Sequence, residues 1–112
     1  MALSPLLRQA ELRKLGAGSE IVRLELDVSS RLYCIDAITV YDVSNILTLV
    51  RIVITTGVAQ FPFFSAINVG AGSIVTTPQR IFIPSPCGIE AWCTGGAALD
   101  PVILSVFGYA SE

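Results

Sequence analysis

Histidine is absent from all 112 residues. The chain therefore lacks the commonest general base, the commonest metal ligand and the usual activator of a serine or cysteine nucleophile. Ser-His-Asp and Cys-His arrangements are excluded. Charge is scarce as well: 14% of residues are Asp, Glu, Lys or Arg, against about 25% in an ordinary globular domain. Seven basic and nine acidic residues leave a net charge of −2, which argues against a dedicated nucleic-acid binder. At 53% hydrophobic residues, the composition excludes a disordered chain, a charged coiled coil and a highly solvated monomer. The length suits a single domain able to bury a real core.

Little site chemistry remains. Cys34, Cys87 and Cys93 cannot all pair, and no histidine completes a zinc site. A disulfide between Cys87 and Cys93 across a turn is one reading; three reduced, mostly buried thiols is the simpler one. No metal or cofactor is expected. A paired-carboxylate mechanism would have to draw on Asp27, Asp36, Asp42, Glu90 and Asp100. Their spacing reads more simply as solvated strand or turn positions, so no catalytic residue is assigned and no enzyme is expected.

Neither end of the hydropathy scale is met. Leu3–Leu15 is broken by Arg8, Gln9, Glu11, Arg13 and Lys14, unlike the apolar core of a signal peptide. Residues 52–79 carry no charge, yet Gly57, Gln60, Pro62, Asn68, Gly70 and Gly72 punctuate them. A spanning helix needs about 20 unpunctuated apolar residues, so this stretch reads as strands separated by turns, and no membrane contact is expected.

Residues 4–15 read as one helix: Ser4 suits the N-cap, Pro5 the first turn and Gly16 a left-handed C-cap. Arg13 and Lys14 would complement the dipole in the last turn. Gly16-Ala17-Gly18-Ser19 then reads as a flexible joint, which divides the chain into an arm, 1–19, and a body, 20–112. The arm carries three positive charges and one negative, the body four and eight.

From Glu20 onward the pattern is β. Residues 20–28 alternate, with Val22, Leu24, Leu26 and Val28 against Arg23, Glu25 and Asp27. Further strands are expected at 32–41, 46–56, 61–67, 73–77, 80–83, 89–94 and 102–110, with turns at 29–30, 42–45, 84–88 and 95–101. This spacing predicts an all-β fold, an antiparallel sandwich or jelly roll of seven to eight short strands, preceded by the helical arm.

Two strands break the rule that one face is buried and the other wet. In 46–56, Ile46, Val50, Ile52 and Ile54 oppose Leu47, Leu49 and Val53; in 102–110, Val102, Leu104 and Val106 oppose Ile103 and Phe107. In so short a chain the second apolar face needs cover from another subunit. Phe61-Pro62-Phe63-Phe64 adds aromatics that cannot all face one core. The candidate partner surface is Leu6, Leu7, Leu12, Arg13, Lys14 and Leu15 of the arm, with Leu47, Leu49, Phe61, Phe63, Phe64 and Phe107 of the body.

A capped helix, a glycine joint and a compact β body of this composition resemble small virion proteins of tailed bacteriophages. The stretch Ile81-Phe82-Ile83-Pro84 to Gly88-Ile89-Glu90-Ala91-Trp92 is similar to the late hairpin of such sandwiches, as is the ending Leu104-Ser105-Val106-Phe107-Gly108-Tyr109. The resemblance implies a capsid cement (decoration) protein in the virion, assembled in the host cytoplasm. It would be a homo-oligomer, a trimer by preference, bound to the major capsid protein or another virion protein. A neck, tail or baseplate component is the nearest alternative. A different class is a carbohydrate-binding module with a groove built from Trp92, Tyr33, Tyr41 or Tyr109.

Overall fold

The computed structural model describes residues 3–26, 32–56, 59–76, 80–84 and 87–111. Nine strands follow in order: β1 (Leu3–Arg13), β2 (Glu20–Glu25), β3 (Leu32–Asp42), β4 (Leu47–Thr56), β5 (Ala59–Val69), β6 (Ile74–Thr76), β7 (Ile81–Pro84), β8 (Cys87–Gly95) and β9 (Pro101–Ser111). All pair antiparallel. One sheet has the order β1-β9-β3, with β6 and β7 both beside β3; the other runs β2-β8-β4-β5. β6 pairs with one end of β3 and β7 with the other, so together they occupy one strand position. Two interleaved Greek keys with this order make a jelly roll.

The core lies between the sheets. Ile38, Val40, Val102, Leu104 and Val106 from the first sheet meet Val50, Ile52, Ile89, Ala91 and Cys93 from the second, all fully buried. Each large aliphatic side chain removed from water contributes about 1.5–3 kcal/mol. β-branched residues dominate these rows because they fit a pleated, two-sided surface.

The helix expected over 4–15 is a strand. β1 pairs with β9 over its whole length, from Leu3 opposite Ser111 to Arg13 opposite Pro101. Leu6 is buried and Ala10 and Leu12 pack against the core, whereas Pro5, Leu7, Gln9, Glu11 and Arg13 are exposed. That is a period of two. An isolated helix of this length is marginal in water, and β9 offers eleven paired positions that bury the same leucines. Pro5 fits because β1 is an edge strand. The Gly16–Ser19 joint is a fixed crossing from one sheet to the other: Gly95 N–H donates to Ala17 O at 2.9 Å, and just before it Lys14 N–H donates to Asp100 O at 2.9 Å while Leu99 N–H donates to Lys14 O at 2.7 Å. The described part of residues 1–19 thus belongs to the sandwich.

A second correction concerns β4. Leu47, expected on the outer side, is buried in the core, and Ile46, expected inside, is 54% exposed. A register shift between Leu47 and Leu49 reverses the alternation there. Gly95 makes it possible: at φ 101°, a Cβ on it would lie 2.7 Å from Thr48 N and 2.9 Å from Ile46 O.

Cys87 and Cys93 do not meet across a turn. Both lie on β8, six residues apart along one extended strand, which separates them by about 20 Å. All three cysteines are free. The turn expected at 29–30 lies outside the described residues, as does Asp27.

Candidate interaction surface

Register places a cluster of exposed apolar side chains on the outer face of the five-stranded sheet. Facing residues in an antiparallel ladder share a side. Pro5, Tyr109, Cys34 and Phe82 therefore form one row across β1, β9, β3 and β7, and Leu7, Phe107 and Ala37 form the next. Leu7 is 62% exposed, Phe82 64%, Tyr109 45% and Phe107 39%. These four large side chains stand on an otherwise flat face because the inner positions of the same strands are already filled by Leu6, Ile35, Ile83 and Val106. Asp36 and Arg80 form an ion pair at 2.6 Å beside the rows, on the bulge that shifts β3 against β9.

The outer face of the four-stranded sheet is different. Arg23 on β2 reaches across to Glu90 on β8 at 2.5 Å and to Glu25 at 2.6 Å. Trp92 Nε1 donates to Glu90 Oε1 at 3.0 Å, and the Arg51 guanidinium sits 5.9 Å from the Trp92 ring centroid. Gly88 leaves room for this: a Cβ there would lie 2.6 Å from Arg23 Nη2. Val53, an apolar residue on this outer side, is only 4% exposed, between Glu90 and Pro62 in the register. A polar network covers the middle of that face, while Ile21 and Ile67 stand exposed on its outer strands.

The carboxylates weighed for catalysis that lie among the described residues serve as braces. Asp42 Oδ1 accepts from the backbone N–H of Ser44 at 3.0 Å and of Asn45 at 3.3 Å, closing the β3–β4 turn. Asp100 Oδ2 accepts from Asn45 Nδ2 at 2.7 Å and from Ala97 N–H at 3.0 Å. The Asn45 bond, more than any other contact, holds the Asp100 carboxyl below its ordinary value. Among the described residues, no group of three or more Cys, Asp or Glu is placed to hold a metal ion, and no helix is long and apolar enough to cross a membrane. Two shallow depressions are lined by Arg51, Pro62, Phe63, Phe64 and Ser65, and by Gln9, Ala10, Glu11 and Ile103.

Of the twelve residues expected at a partner surface, Leu7 and Phe107 stand as direct neighbours on β1 and β9, and Phe63 and Phe64 line one depression. Leu15 is 87% exposed in the crossing and Phe61 is 54% exposed at the end of β5. Arg13 is exposed, Leu49 half-buried, and Leu12, Phe63 and Phe64 half-buried against the core. Leu6, Leu47 and Lys14 are internal, at 8%, 1% and 0% exposure, and present nothing to a partner. Tyr109 and Phe82 were missed as members of the surface. Tyr109 shares the parity of Phe107, and Phe82 falls between the inward-facing Ile81 and Ile83, so strand alternation alone would have placed both. The glycan groove is not formed: Tyr33 is buried, Trp92 lies on one sheet, and Tyr41 and Tyr109 lie on the other.

No family model matches this sequence, and no curated protein matches it. Two solved structures resemble it over nearly its whole length. A chain in the structure of infectious bursal disease virus, Gx strain, is 16% identical with a TM-score of 0.47, over 96% of this chain and 31% of that chain. A chain of the Gt strain is 14% identical with a TM-score of 0.39, over 97% of this chain and 32% of that one. The chain thus spans about a third of the length of those it resembles.

Proposed function

We propose that this chain is a non-enzymatic structural subunit of a virion that associates with copies of itself and with neighbouring virion subunits. The observation that carries the reading is the patch of Leu7, Phe107, Tyr109 and Phe82, in two adjacent rows on the outer face of the five-stranded sheet, exposed above a buried inner face. An apolar patch on a sheet whose other face is satisfied marks a site of protein contact. The jelly roll is a fold shared by capsid and lectin domains, so it permits this role without specifying it. The resemblance to small phage virion proteins narrows the reading to a capsid cement protein, trimeric and bound to the major capsid protein; a neck or tail component uses the same chemistry.

Size-exclusion chromatography with light scattering tests the proposal. The parent chain is expected to be a discrete oligomer, and a Leu7→Glu, Phe107→Glu double variant a folded species of smaller mass with an unchanged circular dichroism spectrum. A parent that is monomeric at every concentration and absent from purified particles overturns the reading. So does a double variant that loses stability yet stays as oligomeric as the parent.

A further inference from the structure

β5 is the outermost strand of the four-stranded sheet, and among the described residues no strand lies beside its free edge. Such an edge offers a row of backbone N–H and C=O groups to any incoming strand unless charge, proline or a bulge blunts it. No Lys, Arg, Asp or Glu occurs anywhere in 52–79. Pro62, which has no N–H, and a register shift opposite Ile52–Val53 interrupt the edge near its start. Asn68, at φ 52°, ends its regular run. Between these breaks lies an uncharged segment in regular register, Phe64–Ile67, in which Ser65 and Ile67 are exposed and Phe64 and Ala66 half-buried.

We propose that Phe64–Ala66 pairs antiparallel with the same segment of a second copy of the chain, about a two-fold axis through Ser65. The unpaired backbone groups call for a strand, and the segment's own sequence names which one. In an antiparallel pair, facing residues share a side of the sheet. With Ser65 on the axis, Phe64 faces the partner's Ala66 on the inner side, where Phe64 and Ala66 already stand beside Ile52 and Val50. A large side chain meets a small one, and the half-exposed flank of the core closes across the axis. On the outer side the two serines face each other. Moving the axis to Phe64 brings Pro62 opposite Ala66, and moving it to Ala66 brings Asn68 opposite Phe64; each loses part of the regular ladder. No like charges oppose in the centred register. The interface is isologous and joins two four-stranded sheets into one of eight. It lies on the other sheet from the Leu7–Phe107 patch and does not depend on it.

Two variants of the full chain test this, with the parent and Ser73→Cys as references. Facing residues in such a pair have Cα atoms about 4.5–5.5 Å apart, within reach of a disulfide. Mild oxidation of Ser65→Cys is expected to give a covalent dimer on a non-reducing gel, at least tenfold more than the parent or Ser73→Cys gives. Ser65→Lys sets two like charges on the axis at an exposed position and is expected to weaken dimerisation at least tenfold by light scattering, with the melting temperature unchanged. Should Ser65→Lys fail to fold, the Ser65→Cys result decides. The proposal is overturned if Ser65→Cys cross-links no better than Ser73→Cys. Loss of oligomer in Leu7→Glu, Phe107→Glu alongside such a failure would leave the outer-face reading standing and remove only this one.

Discussion

Lys14 Nζ lies 3.2 Å from Glu20 Oε2, and no part of the lysine side chain reaches solvent. The ammonium also donates to Gly18 O at 2.5 Å and to Cys93 O at 2.8 Å. One cation at the end of β1 thereby ties the crossing loop, the start of β2 and the centre of β8 together. The Glu20 carboxylate extends the tie, accepting from Leu15 N–H at 2.9 Å and Gly16 N–H at 3.3 Å.

Lys14→Met removes the charge while keeping most of the volume. It leaves two carbonyls and a carboxylate around a buried site without their donor, a loss of about 3 kcal/mol. The measurement is a denaturant midpoint at fixed slope, and a loss below about 1 kcal/mol would show that the buried ammonium contributes little. Removing Glu20 as well should cost less than the sum of the two single losses, because they share partners.

The same cluster sets an acid dependence. Glu20 is held below its ordinary value of 4.5, first by the backbone N–H of Leu15 and then by Lys14 and Gly16 N–H. A carboxyl lowered in the folded state stabilises fully above its unfolded value, and that contribution is lost as pH falls through the folded one. Melting temperature should therefore fall as pH drops from about 5 toward 3, and Glu20→Gln should flatten that part of the curve while lowering its plateau. Equal slopes in parent and variant would remove Glu20 from the acid response.

Much of this architecture was legible in the residues, and the failures share one cause. Strands at 20–28, 32–41, 46–56, 89–94 and 102–110 stood out because alternation and β-branched content agree there. β1 was misread because Ser4, Pro5 and Gly16 satisfy helix-end chemistry and the leucines fit either period. What decides is β9, paired at separations of 88 to 108 residues along the chain, whose free edge no local signal reports. Leu47 was placed on the wrong side because a bulge reverses parity, and Gly95 gives only a weak hint of one. The two-faced apolar character of β9 did predict an exposed outer row, while that of β4 is answered by the chain's own Arg23, Glu90 and Trp92.

Thiol reactivity separates the cysteines. Burial pushes the Cys87 and Cys93 thiols from 9.0 up to about 11, with Glu25 adding to the shift at Cys87. At pH 8 both are almost wholly protonated as well as enclosed, and the thiolate is the reactive form. Cys34 is half-buried on the outer face of the other sheet. A chromogenic disulfide reagent should label at most one thiol rapidly in the native protein and all three after unfolding. Rapid labelling of two or more would place β8 at a mobile edge rather than between β2 and β4.

Gly108 is the position where backbone closeness, not conformation, demands glycine. It faces Ile35 where β3 bulges, and a Cβ built there would lie 2.0 Å from the Cys34 carbonyl oxygen and 3.1 Å from Asp36 N. Neither neighbour is the far end of a flexible side chain; both are backbone held in the sheet by the β3–β9 ladder. Relief requires the two strands to separate exactly where Phe107 and Tyr109 are presented on the outer face. Gly108→Ala should therefore cost about 3 kcal/mol, the upper part of the range for overfilling a packed site, and should also weaken self-association through the outer face. Gly18→Ala, in the crossing loop with nothing within 4 Å of its Cβ, is the control and should change neither. A Gly108→Ala protein as stable as the parent would mean that the bulge at Asp36 yields easily, and that the outer row is not held rigid by the strands beneath it.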